Sequence, residues 1–196
     1  GAYNQSFAMD FGADVQAIFA SEVFRTIFPD FALRTGSTAK DDMVTVEGGK
    51  LAFVGVGGSG TGKSAGIFVV DDPIRNDEDA QSQLYRDKVW KWLTAVVATR
   101  MVNNGRMLIV HTRWSHDDPI GRLCDPDHPE RNKQYRGIAD RWKYLNLPAV
   151  IDDPKLAKAL NITLEKQTDP SVIAQFGDRP LAALSPHRRD LKSLAE

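Results

Sequence analysis

Two short apolar runs set most of what this chain can fold into. Ile67-Phe-Val-Val70 and Met107-Leu-Ile-Val110 contain no polar residue, and each ends abruptly in polar ones: Asp71-Asp72-Pro73 after the first, His111-Thr112-Arg113-Trp114 after the second. Runs this short, rich in branched side chains and bounded by turn formers, predict fully buried strands. A helical pattern stands between them. Asn76 is placed to cap it, Asp77, Glu78 and Asp79 put negative charge in its first turn, and Tyr85, Val89, Trp92, Val96 and Met101 mark its buried side. Asn103-Asn104-Gly105 is the expected stop. Strands alternating with helices predict an α/β fold, a mostly parallel sheet with flanking helices. In such sheets chemistry gathers at the carboxyl ends of the strands, here Asp71-Asp72 and Thr112-Arg113.

Around this centre the pattern predicts further elements. Phe7, Phe11, Val15, Ile18 and Phe19 fall at helical spacing, so residues 5–19 read as an amphipathic helix, with Ser21 capping a short second one closed by Pro29. Met43–Val46 and Leu51–Val54 flank Glu47-Gly48-Gly49-Lys50, the signature of an added β-hairpin. Asp117 to Leu123 reads as a short helix, Trp142 to Leu147 as a strand stopped by Pro148, and Leu156 to Leu164 as one helix. Gly177 to Glu196 reads as a linker or arm.

Composition narrows the function classes. The chain has 196 residues and a formal net charge of −1, so no overall electrostatic attraction to nucleic acid exists and any DNA contact has to be a local patch. Arg131, Lys133, Arg136, Arg141 and Lys143 form one basic run, which reads first as a solvated face and second as a DNA-backbone contact. The single cysteine, Cys124, excludes an internal disulfide and suits a reducing compartment. No apolar run approaches the roughly 20 residues of a membrane span. Gly1-Ala-Tyr-Asn lacks an initiator Met and the features of a signal peptide, so a fragment is the expectation.

Gly57-x-x-x-x-Gly62-Lys63-Ser64 matches the pattern of a Walker A phosphate loop. Such a loop needs a helix after it, whose N-terminus holds the phosphate. Only Ala65 and Gly66 separate Ser64 from the Ile67 run, so a strand is expected there and the motif is misplaced. Ile67 to Asp72 instead has the form of a Walker B strand. Asp71 is a candidate Mg²⁺ ligand and Asp72 a carboxylate that polarises an attacking water; the alternative is a turn that closes a strand. Thr112 and Arg113 are candidates for sensing a γ-phosphate, or else a hydrogen-bonded strand end. His111 and His116 with Asp117 read as structural, since no second ligand cluster accompanies them.

Several stretches resemble the large terminase subunit of tailed bacteriophages, the DNA-packaging motor. They are Tyr3-Asn4-Gln5, Gly48-Gly49 with Gly55-Val56-Gly57-Gly58, Thr61-Gly62, Ile67 to Pro73, Ala80-x-Ser82, Thr99-Arg100, Thr112-Arg113-Trp114 with Asp117-Asp118, Gly121-Arg122, and Leu145 to Ala149, in the family's order. The resemblance implies a P-loop NTPase of RecA-like type, incomplete here. Residues 1–150 correspond to the ATPase core lacking its phosphate loop, and 151–196 to a linker leading towards a nuclease domain. It implies ATP and Mg²⁺ as cofactors, with Asp71 on the metal, Asp72 catalytic and Thr112 coupling hydrolysis to movement. Lys63 matches the neighbourhood of an arginine, so a cation reaching a neighbouring subunit's ATP is a further expectation. Implied partners are double-stranded DNA, a portal protein, a small terminase subunit and sister subunits in a ring, in the host cytoplasm. The alternatives are a metal-dependent nuclease using Asp71 with Asp117 or Asp118, and a non-catalytic module binding portal or sister subunits.

Overall fold

The strand–helix–strand pattern forms the centre of the first of two compact units, Gly1–Trp142 and Lys143–Glu196. The computed structural model describes residues 1–37, 39–58, 63–125, 127, 128 and 142–195. In the first unit, α1 (Gln5–Ala20) is capped by the Asn4 side chain, which accepts from the Phe7 N–H, and Ser21 does the same for α2 (Glu22–Ile27) through Phe24. β1 (Asp42–Val44) and β2 (Lys50–Ala52) form the antiparallel hairpin. Its turn uses Gly48 at φ +89°, a conformation costly for any residue with a Cβ.

β3 (Ala65–Asp71) pairs in parallel with β4 (Met101–Val110), Val69 opposite Leu108 and Asp71 opposite Val110. On the other edge of β3, the Gly1 carbonyl accepts from the Asp71 N–H at 2.8 Å. Ala2 in turn bonds Val54 and Val56 on its far side. The architecture of the described residues is mixed α/β with small sheets.

The crossover between β3 and β4 differs from the single helix expected. Asn76 caps α3 (Asp77–Gln81), but Ser82 is extended, ends α3 and caps α4 (Gln83–Trp92) with its own hydroxyl. A serine side chain that bonds the backbone locally competes with the helix ladder, and here it wins. A π-helical turn, Leu93–Val97, and a tight turn, Ala98–Arg100, carry the chain on to β4. Asn103-Asn104-Gly105 therefore lies within β4 rather than stopping a helix. Between the pairs Ala65–Met101 and Ile67–Arg106, β4 holds extra residues that bulge, and Asn104 absorbs the bend at φ +66°.

Val89, Trp92, Leu93 and Val97 pack onto Val56, Val70 and Ile74, with Phe68, Met107 and Ile109 partly buried against them. The Trp92 and Phe68 rings meet edge-on at 6.1 Å. The expectation of fully buried strands fails on the opposite face. Ile67 is 74% exposed and Leu108 55%, with Val69 and Val110 also exposed. Only one helical layer lies against this pair among the described residues, so alternation sends every second side chain into solvent.

The second unit holds β5 (Val150–Ile151), α6 (Pro154–Ala159), β6 (Glu165–Lys166), α7 (Pro170–Phe176), β7 (Pro180–Ala183) and α8 (Leu191–Ala195). Its sheet runs β5-β7-β6, with both pairings antiparallel. α6 and α7 each open on Asp-Pro: Asp153 and Asp169 cap, and the proline fills the first turn, where its missing N–H costs nothing. Ile151, Ala157, Val172 and Leu181 are buried. Trp142 to Leu147 has no regular structure, and the strand begins only after Pro148. The helix expected over Leu156–Leu164 stops at Ala159, and Asn161 turns at φ +55°. No helix among the described residues is long and apolar enough to cross a membrane.

Candidate functional site

Parallel pairing sets the carboxyl ends of β3 and β4 side by side. Asp71 is partly buried at the end of β3, and its carboxylate receives no side-chain donor among the described residues. Asp72 leaves the strand at φ +36°, in the left-handed region that Asp tolerates better than most residues. The turn folds it across onto β4. Its N–H donates to the Val110 carbonyl at 3.0 Å, and its Oδ1 accepts the Thr112 N–H at 2.9 Å. The structure thus joins two of the sequence-predicted site residues, Asp72 and Thr112, and the link uses the backbone of Thr112. Half of the Asp72 side chain remains exposed, at 50%.

His111 lies between these contacts. Its side chain is 0% exposed, and Nδ1 stands 3.4 Å from Asp72 Oδ1. That separation is long for a hydrogen bond, and neither ring nitrogen has a hydrogen-bond partner among the described residues. Burial pushes the imidazole pKa down, outweighing the attraction of Asp118 and Asp72, while Arg113 adds to the depression. Burial therefore favours the neutral imidazole. The sequence carried no signal that His111, directly before Thr112, would stand beside Asp72.

The segment after β4 is tied into a knot of charges. Asp118 is fully buried and caps α5 (Pro119–Cys124), accepting from the Gly121 N–H at 2.8 Å. Its other oxygen accepts from Arg113 Nε at 2.9 Å and from the N–H groups of Trp114 and Ser115 at 3.0 and 3.3 Å. Burial acts to raise the Asp118 pKa, but these donors hold it below the ordinary value. Asp117 accepts from Arg86 Nε at 2.8 Å and from Arg122 Nε at 2.7 Å, with His128 Nε2 at 3.1 Å. Its burial would likewise raise the pKa, yet the bonds from Arg122 and Arg86 bring it down to about 2. Arg122 also reaches Asp87 at 2.7 Å and lies over the Trp90 ring. Gly121 fits because a Cβ there would lie 1.9 Å from the His116 carbonyl oxygen. Arg113 is therefore engaged in fixing Asp118.

The glycine-rich loop is held at both ends of its described part. Trp92 Nε1 donates to the Gly58 carbonyl at 3.2 Å, and Gly57, at φ +87°, lies against the Lys88 side chain. Gly55 adjoins α1 so closely that a Cβ would meet the Gln5 nitrogen at 2.2 Å, and Gln5 clamps Gly55 and Phe53 with its amide. Lys63 pairs with Asp42 on β1 at 3.1 Å, both half-exposed. β3 begins at Ala65, so no helix N-terminus follows Ser64. Ser59, Gly60, Thr61 and Gly62 lie outside the described residues, as do Arg131, Lys133, Arg136 and Arg141 of the basic run.

Among the described residues no group of three or more His, Cys, Asp and Glu could hold a metal ion. Mg²⁺ asks for less: one or two carboxylates beside water and substrate phosphates. The Asp71 carboxylate, which takes no side-chain hydrogen bond among the described residues but lies in the field of the Gly1 ammonium, fits that requirement. The described part of Gly57–Ser64, followed by a strand, does not supply the helix end that ATP phosphates would need. No family model, curated protein or solved structure matches the chain.

Proposed function

We propose that the chain is part of a viral DNA-packaging motor ATPase of the large terminase subunit kind, coupling Mg-ATP hydrolysis to movement of double-stranded DNA. The observation that carries this reading is the joint between β3 and β4, where Asp72 Oδ1 accepts the Thr112 N–H at 2.9 Å. A carboxylate suited to acting on water is thereby tied to the strand end that the resemblance assigns to coupling. Asp71 would hold Mg²⁺, which supplies charge neutralisation on the phosphates when bound. Asp72 would orient the attacking water with the oxygen that its β4 contacts leave open. Displacement of β4 would then reach Asp72 through Val110 and Thr112, and movement at Asp72 would reach β4 by the same bonds. The portal protein, a small terminase subunit, sister subunits in a ring and a host-cytoplasmic setting belong to this reading.

The nuclease alternative gains no support, because the Asp117 and Asp118 carboxylates are already engaged by arginines. The test is Mg-ATP turnover in the protein that carries this segment together with the phosphate loop the reading places upstream of Tyr3. Asp72→Asn is expected to keep Mg-ATP binding and lower turnover by about 10²-fold or more. Normal turnover in that variant, or a coding sequence with no second glycine-rich Gly-Lys loop upstream, overturns the proposal.

A further inference from the structure

We infer that His111 is a positioning residue for Asp72: a buried imidazole on the end of β4 that fixes which carboxylate oxygen is turned into the protein and which is left to solvent. The inference rests on the reading of Asp72 as the carboxylate that acts on water.

Asp72 does not sit in a backbone conformation that holds itself. At φ +36° Asp72 lies in the left-handed region, which Asp tolerates better than most residues but which is held here by its surroundings. Those surroundings are three consecutive residues of one strand end. Val110 takes the Asp72 N–H, Thr112 gives its N–H to Oδ1, and between them His111 presents Nδ1 to the same oxygen at 3.4 Å. The Val110 and Thr112 contacts are made by backbone, which a side-chain substitution leaves in place. Among the described residues the imidazole is the side chain that meets the Asp72 carboxylate.

The cost of that ring points the same way. A buried polar atom without a partner is destabilising, and among the described residues both ring nitrogens of His111 are in that position. A buried polar group left unsatisfied calls for an explanation. Here Nδ1 already stands 3.4 Å from Oδ1, so a small movement of the ring that also aligns Nδ1–H would make the bond. With the Thr112 N–H and the imidazole both on Oδ1, the half-exposed carboxylate keeps Oδ2 outward, and no donor reaches Oδ2 among the described residues. The charged groups around the ring, Asp72, Asp118 and Arg113, include just one carboxylate not already held by an arginine, and that one is Asp72.

Two measurements test the assignment. The first needs no nucleotide: ¹⁵N spectroscopy of the His111 ring in the labelled 196-residue chain at neutral pH. The expected result is the tautomer protonated on Nδ1, with that preference lost in Asp72→Ala. A ring protonated on Nε2 in the wild type overturns the inference, and this arm stands even if a substitution at residue 111 prevents folding. The second is steady-state Mg-ATP turnover in the protein carrying its phosphate loop. His111→Phe keeps the bulk and removes both nitrogens; it is expected to lower kcat about 10–100-fold, the range for partners that orient a functional group, with KM for Mg-ATP within about threefold. His111→Asn places an amide nitrogen near the Nδ1 position and should recover most of the loss. Wild-type kcat in His111→Phe beside a strongly impaired Asp72→Asn overturns this inference alone. Normal turnover in Asp72→Asn overturns the functional reading beneath it.

Discussion

Asp117→Asn removes one charge from the most connected ion cluster of the first unit. In the folded chain Asp117 binds Arg86 and Arg122, and the Arg122 side chain is 3% exposed. Among the described residues, substitution leaves Arg122 with Asp87 as its remaining carboxylate and leaves Arg86 without one. Breaking a buried pair from one side costs about 3–5 kcal/mol; because Asp117 is itself partly exposed and Asn keeps an acceptor oxygen, the lower end, about 3 kcal/mol at pH 7, is expected. At a urea dependence of about 1–3 kcal/mol per molar, the denaturation midpoint falls by about 1–3 M. The same group gives wild type a pH dependence. Its pKa drops from 3.8 unfolded to about 2 folded, so the unfolded chain takes up the proton first as pH falls. The stabilisation is full above about pH 5 and is lost as pH falls through the folded value. Nearly two units at about 1.4 kcal/mol each, discounted for partial exposure, gives about 1–2 kcal/mol. Urea titrations of both proteins between pH 7 and pH 2 measure this, with Asp42→Asn as the control, since that exposed pair with Lys63 is worth at most about 1 kcal/mol. A change below about 0.5 kcal/mol at pH 7, or a stability difference that does not narrow on acidification, refutes the reasoning.

Two further outcomes follow from packing. Gly121→Ala should destabilise by more than about 2 kcal/mol, because its Cβ would collide with the His116 backbone, whereas Gly66→Ala, with open space around it and no positive φ, should stay within about 0.5 kcal/mol; thermal denaturation compares them. Trp92→Ala, on α4 where it packs against the core face of the sheet, should cost about 3–5 kcal/mol, whereas Ile67→Lys on the open face should be near neutral in the same assay.

The features legible in the sequence were those that a few neighbouring residues decide. Ser21 and Asn76 cap helices by bonding an N–H three residues on, so those helix starts could be read directly. Gly48 marks its own turn, and the absence of a helix after Ser64 follows from the two residues left before an apolar run. The candidate carboxylates Asp71 and Asp72 were visible because an apolar run ends on them. Other features were hidden because they depend on partners far along the chain. Ser82 breaks the crossover helix and Asn104 bulges a strand, where local chemistry offered two outcomes and the parallel register with β3 selected one. The Asp117 cluster needs Arg86, thirty-one positions away, and His111 becomes the neighbour of Asp72 only when β3 and β4 lie side by side. The sequence by itself determined where strands and helices begin and which polar residues close them. Only the tertiary structure decided which face of each strand is buried, which carboxylates are engaged by arginines and which groups of β4 meet Asp72. Those outcomes depend on pairing register and on which layers cover the sheet, and contacts between residues tens of positions apart carry no local signature.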